Sequence, residues 1–336
     1  MAFDSIGNLA SSLLLRHASV KAKQNLVRLS SELTSGITSD VRDRLRNDLS
    51  KQYDWEHGIS KNYVLEKTLS EAVTKIQAKQ TVLEAISETT VLFANNVSIA
   101  TNANGDSALN TLSEQAEQSL SQVLSHLNAK AMGQSLFAGS YSDMPAVSDA
   151  ESILNSVKTY LGDVSSSASV VHGVQAWMED AVTGYQSVAY TGSLDNQAPI
   201  RVSNDRTIEE TTKANDPPVR ALVESFILAA LSAASGPLDT ENQRITLLQI
   251  ATDKMRSAND QVIELQASIG FSEAVITRAK VATSVEVNAL EQLRAKTLGV
   301  DEFEIASMIQ ETELQLEKIY TMTARASRMS LLEYLK

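Results

Sequence analysis

The chain has 336 residues, 43% of them hydrophobic and 5% aromatic, with 13 Gly, 5 Pro and no Cys. That length buries one large core or two ordinary ones, the scarcity of Gly and Pro favours long helices, and the missing thiols exclude disulfides and thiolate metal sites. A formal charge of −12 argues against nucleic acid or an anionic membrane as the main partner.

Residues 1–50 carry a net +2 and residues 301–336 a net −3, which leaves −11 for the middle. The acid surplus is expected where the chain faces water, and the ends are expected to face protein. Met1 to Leu15 has Asp4 where a secretory leader carries basic residues, and its apolar stretch is short and broken, so it makes a poor cleaved signal. Next, Leu15, Ala22, Leu26, Leu29 and Leu33 share one side of a helix, and Ser35-Gly36 ends it as a C-cap does. Asp40, Asp43 and Asp48 alternate with Arg42, Arg44 and Arg46. This pattern is read as ion pairs on a solvated surface, of little energetic weight, and not as a carboxylate site.

A helical run follows from 63 to 100, with Leu65, Leu69, Val73, Ile76, Leu83 and Ile86 at three-four spacing. Asn102 to Asp106 is a turn cluster, and a second run carries Leu109, Leu112, Ala116, Leu120, Val123 and Leu127. Two helices joined so closely pair antiparallel.

The texture changes between 139 and 215. Ser148-x-x-Glu151 predicts a capping box, Ser165 to Ser167 break that helix, and a further amphipathic stretch runs to Glu179. Gly184 to Ile208 sets short β-favouring pieces, Ser187–Thr191 and Ile200–Val202, among turn residues, which predicts a hairpin.

Asp216-Pro217-Pro218 then opens a helix that Gly236-Pro237 stops. Its run Phe226 to Leu231 is the richest apolar segment and falls far short of the roughly 18–20 residues a membrane span needs. Thr240-x-x-Gln243 predicts a second capping box, before a seam through Leu248, Met255, Ala258, Val262, Leu265 and Ile269 that is read as internal core. If unbroken to Leu298, that helix is about 80 Å long. Asp301-x-x-Glu304 caps the last helix, whose seam passes through Ile305, Ile309, Thr312, Leu316, Ile319, Thr323 and Ala326 to Leu331, Leu332 and Leu335.

The fold expected is mainly α: an elongated helical bundle or coiled coil built by the N- and C-terminal segments, with a small mixed α/β insertion between them. The divisions fall at 1–138, 139–215 and 216–336. His17, His57, His126 and His172 have no metal-ligand spacing, and no nucleophile elbow or phosphate loop occurs. Trp55 and Trp177 are read as packing anchors. No catalytic, cofactor or metal site is assigned, and the protein is read as a non-enzyme. Apolar seams at both chain ends must fold back on each other or pack between subunits; the second is preferred, since exposed tails of this kind would aggregate.

Three segments resemble those of one family. Leu29-x-x-x-Leu33-Thr34-Ser35-Gly36 resembles the end of the first helix of bacterial flagellins and their relatives. Leu136-Phe137-Ala138-Gly139 resembles the exit of their N-terminal helical region, and Ser330-Leu331-Leu332-x-Tyr334-Leu335 is similar to the tail of the hook-associated, hook–filament junction branch. The chain departs from the family where Ile37 to Val41 lacks the usual proline.

The resemblance implies an axial structural protein that joins hook to filament. Leu15, Leu26, Leu29 and Leu33 would face Ile305, Ile309, Leu316 and Ile319, with Leu331, Leu332 and Leu335 at the tail. It also implies flagellar type III export without leader cleavage, an extracellular place in the flagellum, a cytoplasmic chaperone on the C-terminal helix, and partners among its own copies and neighbouring axial proteins. A filament-forming flagellin stays open as an alternative, as does a signalling helical hairpin from another class.

Overall fold

The computed structural model describes residues 2–100, 106–203, 205–233 and 236–334, with the side chains of 10, 12–98, 107–203, 205–233 and 236–328. In chain order the elements are α1 (Ala2–Ser35), α2 (Val41–Arg44), α3 (Ser50–Ala100), α4 (Asp106–Leu127), β1 (Lys130–Ala131), β2 (Gln134–Ser135), α5 (Ala150–Leu161), α6 (Ser167–Glu179), a π-helical turn (Tyr185–Ala189), β3 (Ile200–Arg201), β4 (Thr207–Ile208), α7 (Pro217–Ala230), α8 (Glu241–Leu298) and α9 (Glu302–Tyr334). The fold is mainly helical, and its long helices pack on one another. They gather into two compact units, one of Met1–Tyr63 with Ser284–Lys336, the other of Val64–Thr283.

The second unit holds the main core. Within it α3 and α8 run antiparallel, because their partners descend along one helix as they ascend the other. Gln77 Nε2 donates to Glu273 at 2.9 Å, Gln80 Nε2 to the Gln266 carbonyl at 2.8 Å, and Ser87 Oγ to Asn259 at 2.6 Å. The apolar seam of α8 turns inward at Leu248, Met255, Ala258, Val262 and Ile269, all buried. It meets Ile76, Leu83, Ile86 and Phe93 of α3 in one continuous core, joined by Leu112 and Leu120 of α4. α4 packs on α7, and the Phe226 ring of α7 sits 5.7 Å from that of Phe93. This explains why a helix of 58 residues persists without a break: most helical stability comes from burial of an apolar face, not from propensity.

Residues 139–215 share that core through Ile153, Val157, Val170, Trp177 and Tyr185, and have no separate one among the described residues. They hang on the segment Leu136 to Gly139. The Phe137 carbonyl accepts from Ala214 N at 3.0 Å, the Ala138 carbonyl from Ser193 N at 2.9 Å, and Asp195 O takes Ser140 N at 3.1 Å. Gly139 has φ +63°, and a Cβ there would lie 2.3 Å from the Ser193 carbonyl oxygen, so only glycine fits. Lys79 of α3 ties the returning strand in place: its ammonium is buried against the Glu210 carboxylate, donates to the Thr212 carbonyl at 3.1 Å and lies 5.6 Å from the Phe137 ring centre.

Several local expectations change in the folded chain. α5 is capped by Asp149, which accepts from Ser152 N at 2.9 Å, while Ser148 Oγ donates to the Val188 carbonyl. Gln243 does not close a box on Thr240; its Oε1 accepts from Ser167 N at 2.7 Å and so serves the start of α6. The β-favouring piece 187–191 forms most of the π-helical turn, leaving only a bridge from Tyr190 to Val147. The antiparallel pair in this region is β3 with β4, Ile200 opposite Ile208. Trp177 is a packing residue: it is fully buried, its Nε1 donates to Ser156 Oγ, and the Tyr185 ring meets it edge-on at 6.3 Å.

Tyr185 and Tyr190 donate to the carbonyls of Ala214 and Ser193 at 2.8 and 2.7 Å. Burial raises both phenols, and that of Tyr190 is pushed up to about 12. A raised folded pKa contributes stability that is complete below the unfolded value near 10.0 and is lost as pH climbs through about 12. In an alkaline titration followed at 295 nm, the phenolate absorbance missing from Tyr190→Phe should therefore be the part that develops only near pH 12, together with loss of helical signal. Ionisation of Tyr190 at pH 10 with the helices intact would contradict its burial.

Candidate functional site

The first unit carries the two terminal helices, α1 and α9, of 34 and 33 residues. They pack against each other. Ala22 of α1 is buried with Leu316 and Ile319 of α9, and Leu15, Ala18 and Leu26 lean on that cluster. The Lys23 ammonium stands 5.6 Å over the Tyr320 ring.

The seam residues read from sequence are covered unevenly. Leu29 is 1% exposed and Ile305 6%, while Ile309 is half-buried between Ile305 and the buried Thr312. Leu33, in the last turn of α1, remains 37% exposed. Beyond Tyr320 the described side chains of α9, including Thr323 and Ala326, are all exposed. The side chains of Leu331 and Leu332, and Leu335 altogether, lie outside the described residues.

What aligns the pair is the joint at its base. α1 stops at Ser35 because Gly36 turns to φ +68°, its N–H returning to the Glu32 carbonyl at 2.8 Å. The chain then runs beside the loop between α8 and α9: Thr38 N donates to the Leu298 carbonyl at 2.9 Å and Val300 N to the Gly36 carbonyl at 3.1 Å. Ile37 and Gly299 form an antiparallel bridge. Asp301 Oδ1 starts α9 by accepting from Phe303 N and Glu304 N. Beneath the joint, Leu45, Trp55 and Leu298 form a small core, so Trp55 also packs.

Glu32 was not singled out in the sequence, yet it is the best-buried acid of the joint, 2% exposed. One carboxylate oxygen accepts from Arg28 Nη1 and from Ser39 N, both at 2.9 Å, and so ties the helix to the strand leaving it. Its signal in the sequence is position alone, three residues after Leu29 and therefore on the inward side. The neighbouring charges do not behave as expected. Among the described residues no ion pair joins Asp40, Asp43 or Asp48 to Arg42, Arg44 or Arg46. Asp40 caps α2, Asp48 takes Ser50 Oγ and Lys51, and Arg44 donates to the Gly299 carbonyl at 3.4 Å. The short Asp side chains reach nearby backbone and hydroxyl donors more readily than arginines two residues away.

A second apolar stripe lies on each terminal helix. On α1 the half-buried Leu15 and the buried Ala22 and Leu29 recur every seven residues, and so do the exposed Leu13, Val20 and Val27. An offset of two residues is about 200° of rotation, so these sit on opposite sides. The same offset separates exposed Phe303 and Leu314 of α9 from buried Ile305 and Leu316. Val27 is 71% exposed and Phe303 83%.

No family model matches the chain, and no curated protein matches it. Solved structures do. A protein described as a flagellar hook-associated protein of Vibrio parahaemolyticus is similar over 75% of this chain and 99% of its own, at 15% identity and a TM-score of 0.49. FlgL of Bacillus cereus is similar over 73% of this chain and 96% of its own, at 12% identity and a TM-score of 0.40. No described helix is long and apolar enough to cross a membrane, and no group of three or more His, Asp or Glu among the described residues is arranged to hold a metal ion.

The role of Glu32 can be read through Trp55, which becomes the sole tryptophan in a Trp177→Phe background. Glu32→Ala should lower the stability reported by Trp55 in urea by about 1–3 kcal/mol, because two donors lose a charged acceptor. Glu32→Gln, which keeps an acceptor oxygen, should lose less. An unchanged midpoint for Glu32→Ala would mean the joint does not depend on it.

Proposed function

We propose that the chain is a structural subunit of the bacterial flagellum, the junction protein that connects hook to filament by packing of its terminal helices. The observation that carries this reading is the two-sided construction of α1 and α9. One face of each is used on the other within the chain, and the opposite face presents apolar side chains to the outside. Around the two helices ten large apolar side chains are exposed, Leu13, Val20, Val27, Phe303 and Leu314 on that opposite face and Leu14, Leu33, Met308, Tyr320 and Met322 beside it. At about 1.5–3 kcal/mol for a full burial, and with roughly half of each side chain still to be covered, they offer on the order of 7–15 kcal/mol. That is comparable to the cost of bringing two molecules together. One neighbour would give a marginal complex, whereas several, as in a tubular array, give a stable one.

The three flagellin-like segments support the same reading: Leu29 to Gly36, Leu136 to Gly139, and Ser330 to Leu335. The Tyr334-Leu335 pair tilts the choice toward the junction branch over the filament branch. On this reading the chain leaves the cell through the flagellar type III apparatus without leader cleavage, with a chaperone holding α9 beforehand. It then works outside among its own copies and neighbouring axial proteins, as a scaffold and not an enzyme. Residues 139–215, the part without a family signature, face outward.

Val20→Glu with Val27→Glu should abolish incorporation into flagella while leaving the circular dichroism of the purified monomer unchanged. Leu316→Asp, at a side chain already covered by α1, should reduce both. Full incorporation of the double variant would remove the outer stripe from assembly. Deleting the protein should leave hooks intact and shed filaments into the medium, and the purified chain should stop at short or ring-like species in electron micrographs. Long tubes would identify a filament flagellin instead.

A further inference from the structure

The second unit contains a groove of about 570 Å³ that the assembly reading does not use. It lies between one side of α3 and the loops at 134–142 and 197–201. Its lining includes the apolar side chains of Ala72, Ile76, Leu136, Pro199 and Ile200. Its charged lining is Lys75, Lys79 and Arg201 against Glu71 and Glu210, a local excess of one cation in a chain of net charge −12. Lys79 is already neutralised by Glu210 and donates to the Thr212 carbonyl, so Lys75 and Arg201 are the cations left to the groove. Ser135 is 2% exposed, and its hydroxyl has no hydrogen-bond partner. Volume, an apolar lining and a few converging polar groups are the attributes of a small-molecule site.

We propose that this groove binds a small amphipathic carboxylate, its hydrocarbon stem against Ile76, Leu136 and Ile200 and its anionic head between Lys75 and Arg201. The charge of the whole chain repels anions, so selection has to come from these two cations at short range, where a pair is least screened. A cationic analogue of equal length would meet the same apolar surface and the wrong charges. The stem prefers a chain of moderate length, because the apolar lining is only a few side chains long.

Equilibrium dialysis of the full-length monomer against octanoate, kept below its micellar concentration, tests this. One saturable site is expected, with octylamine binding at least tenfold more weakly. Lys75→Glu with Arg201→Glu should weaken octanoate at least tenfold, and Ala198→Trp, at an exposed loop position that lines the groove, should abolish binding. These positions are chosen over the buried Lys79, whose loss could unfold the unit, and circular dichroism verifies that each variant keeps its helices. Absence of saturable binding, equal binding of octylamine, or octanoate binding unchanged in the Ala198→Trp variant would each overturn the assignment.

Discussion

Two short loops joined backbone to backbone hold the two terminal helices together. Gly36 to Thr38 and Leu298 to Val300 exchange hydrogen bonds, so α1 ends beside the place where α9 begins and the two helices run antiparallel from a common base. Gly36 makes the turn possible through its positive φ, and Glu32 secures it by gripping Ser39 from inside the helix. The resulting mutual burial is modest: Ala22, Leu316 and Ile319 make a cluster of three, with Leu15, Ala18 and Leu26 at its edge. Helices of 33 and 34 residues resting on so narrow a seam remain open to further packing.

The second unit is built on the opposite principle. Its core runs continuously from α3 through α4, α7 and α8, and the segments from 139 to 215 are stitched to it by backbone hydrogen bonds converging on Phe137 and Ala138. Lys79 and Glu210 add a buried ion pair to the same point. Removing one member of such a pair costs roughly 3–5 kcal/mol because the other charge is left uncompensated, so the pair penalises any other path for the returning strand.

Much of this was legible from residue spacing. The Ser35-Gly36 stop, the Asp301 cap, the long helix to Leu298 and the inward seam through Leu248, Met255 and Val262 all appear where their patterns place them. Each depends on periodicity or on chemistry within a turn or two of chain. The misplacements share a different cause. Gln243 was taken by Ser167, and Ser148 by Val188, because a partner distant in sequence competed with the local cap and won. The β-favouring residues 187–191 coil instead, since Tyr185 and Ala189 are drawn into the core and a π-turn lets both be buried.

The candidate site divides in the same way. The sequence by itself determined that both chain ends are helical, that each carries an apolar seam, and that Gly36 ends the first of these helices, because helical periodicity and a positive φ are properties of the local chain. It did not determine which stripe would be covered. On α1 the sets Leu13, Val20, Val27 and Leu15, Ala22, Leu29 have the same seven-residue spacing, and nothing in that spacing ranks one above the other. The tertiary structure decided between them: the joined loops aim α9 at the Ala22 side, burying Ala22 and Leu29, half-covering Leu15 and leaving the opposite set exposed. Which face a helix hides depends on where its partner stands, and that is set by backbone pairing between residues more than 250 positions apart.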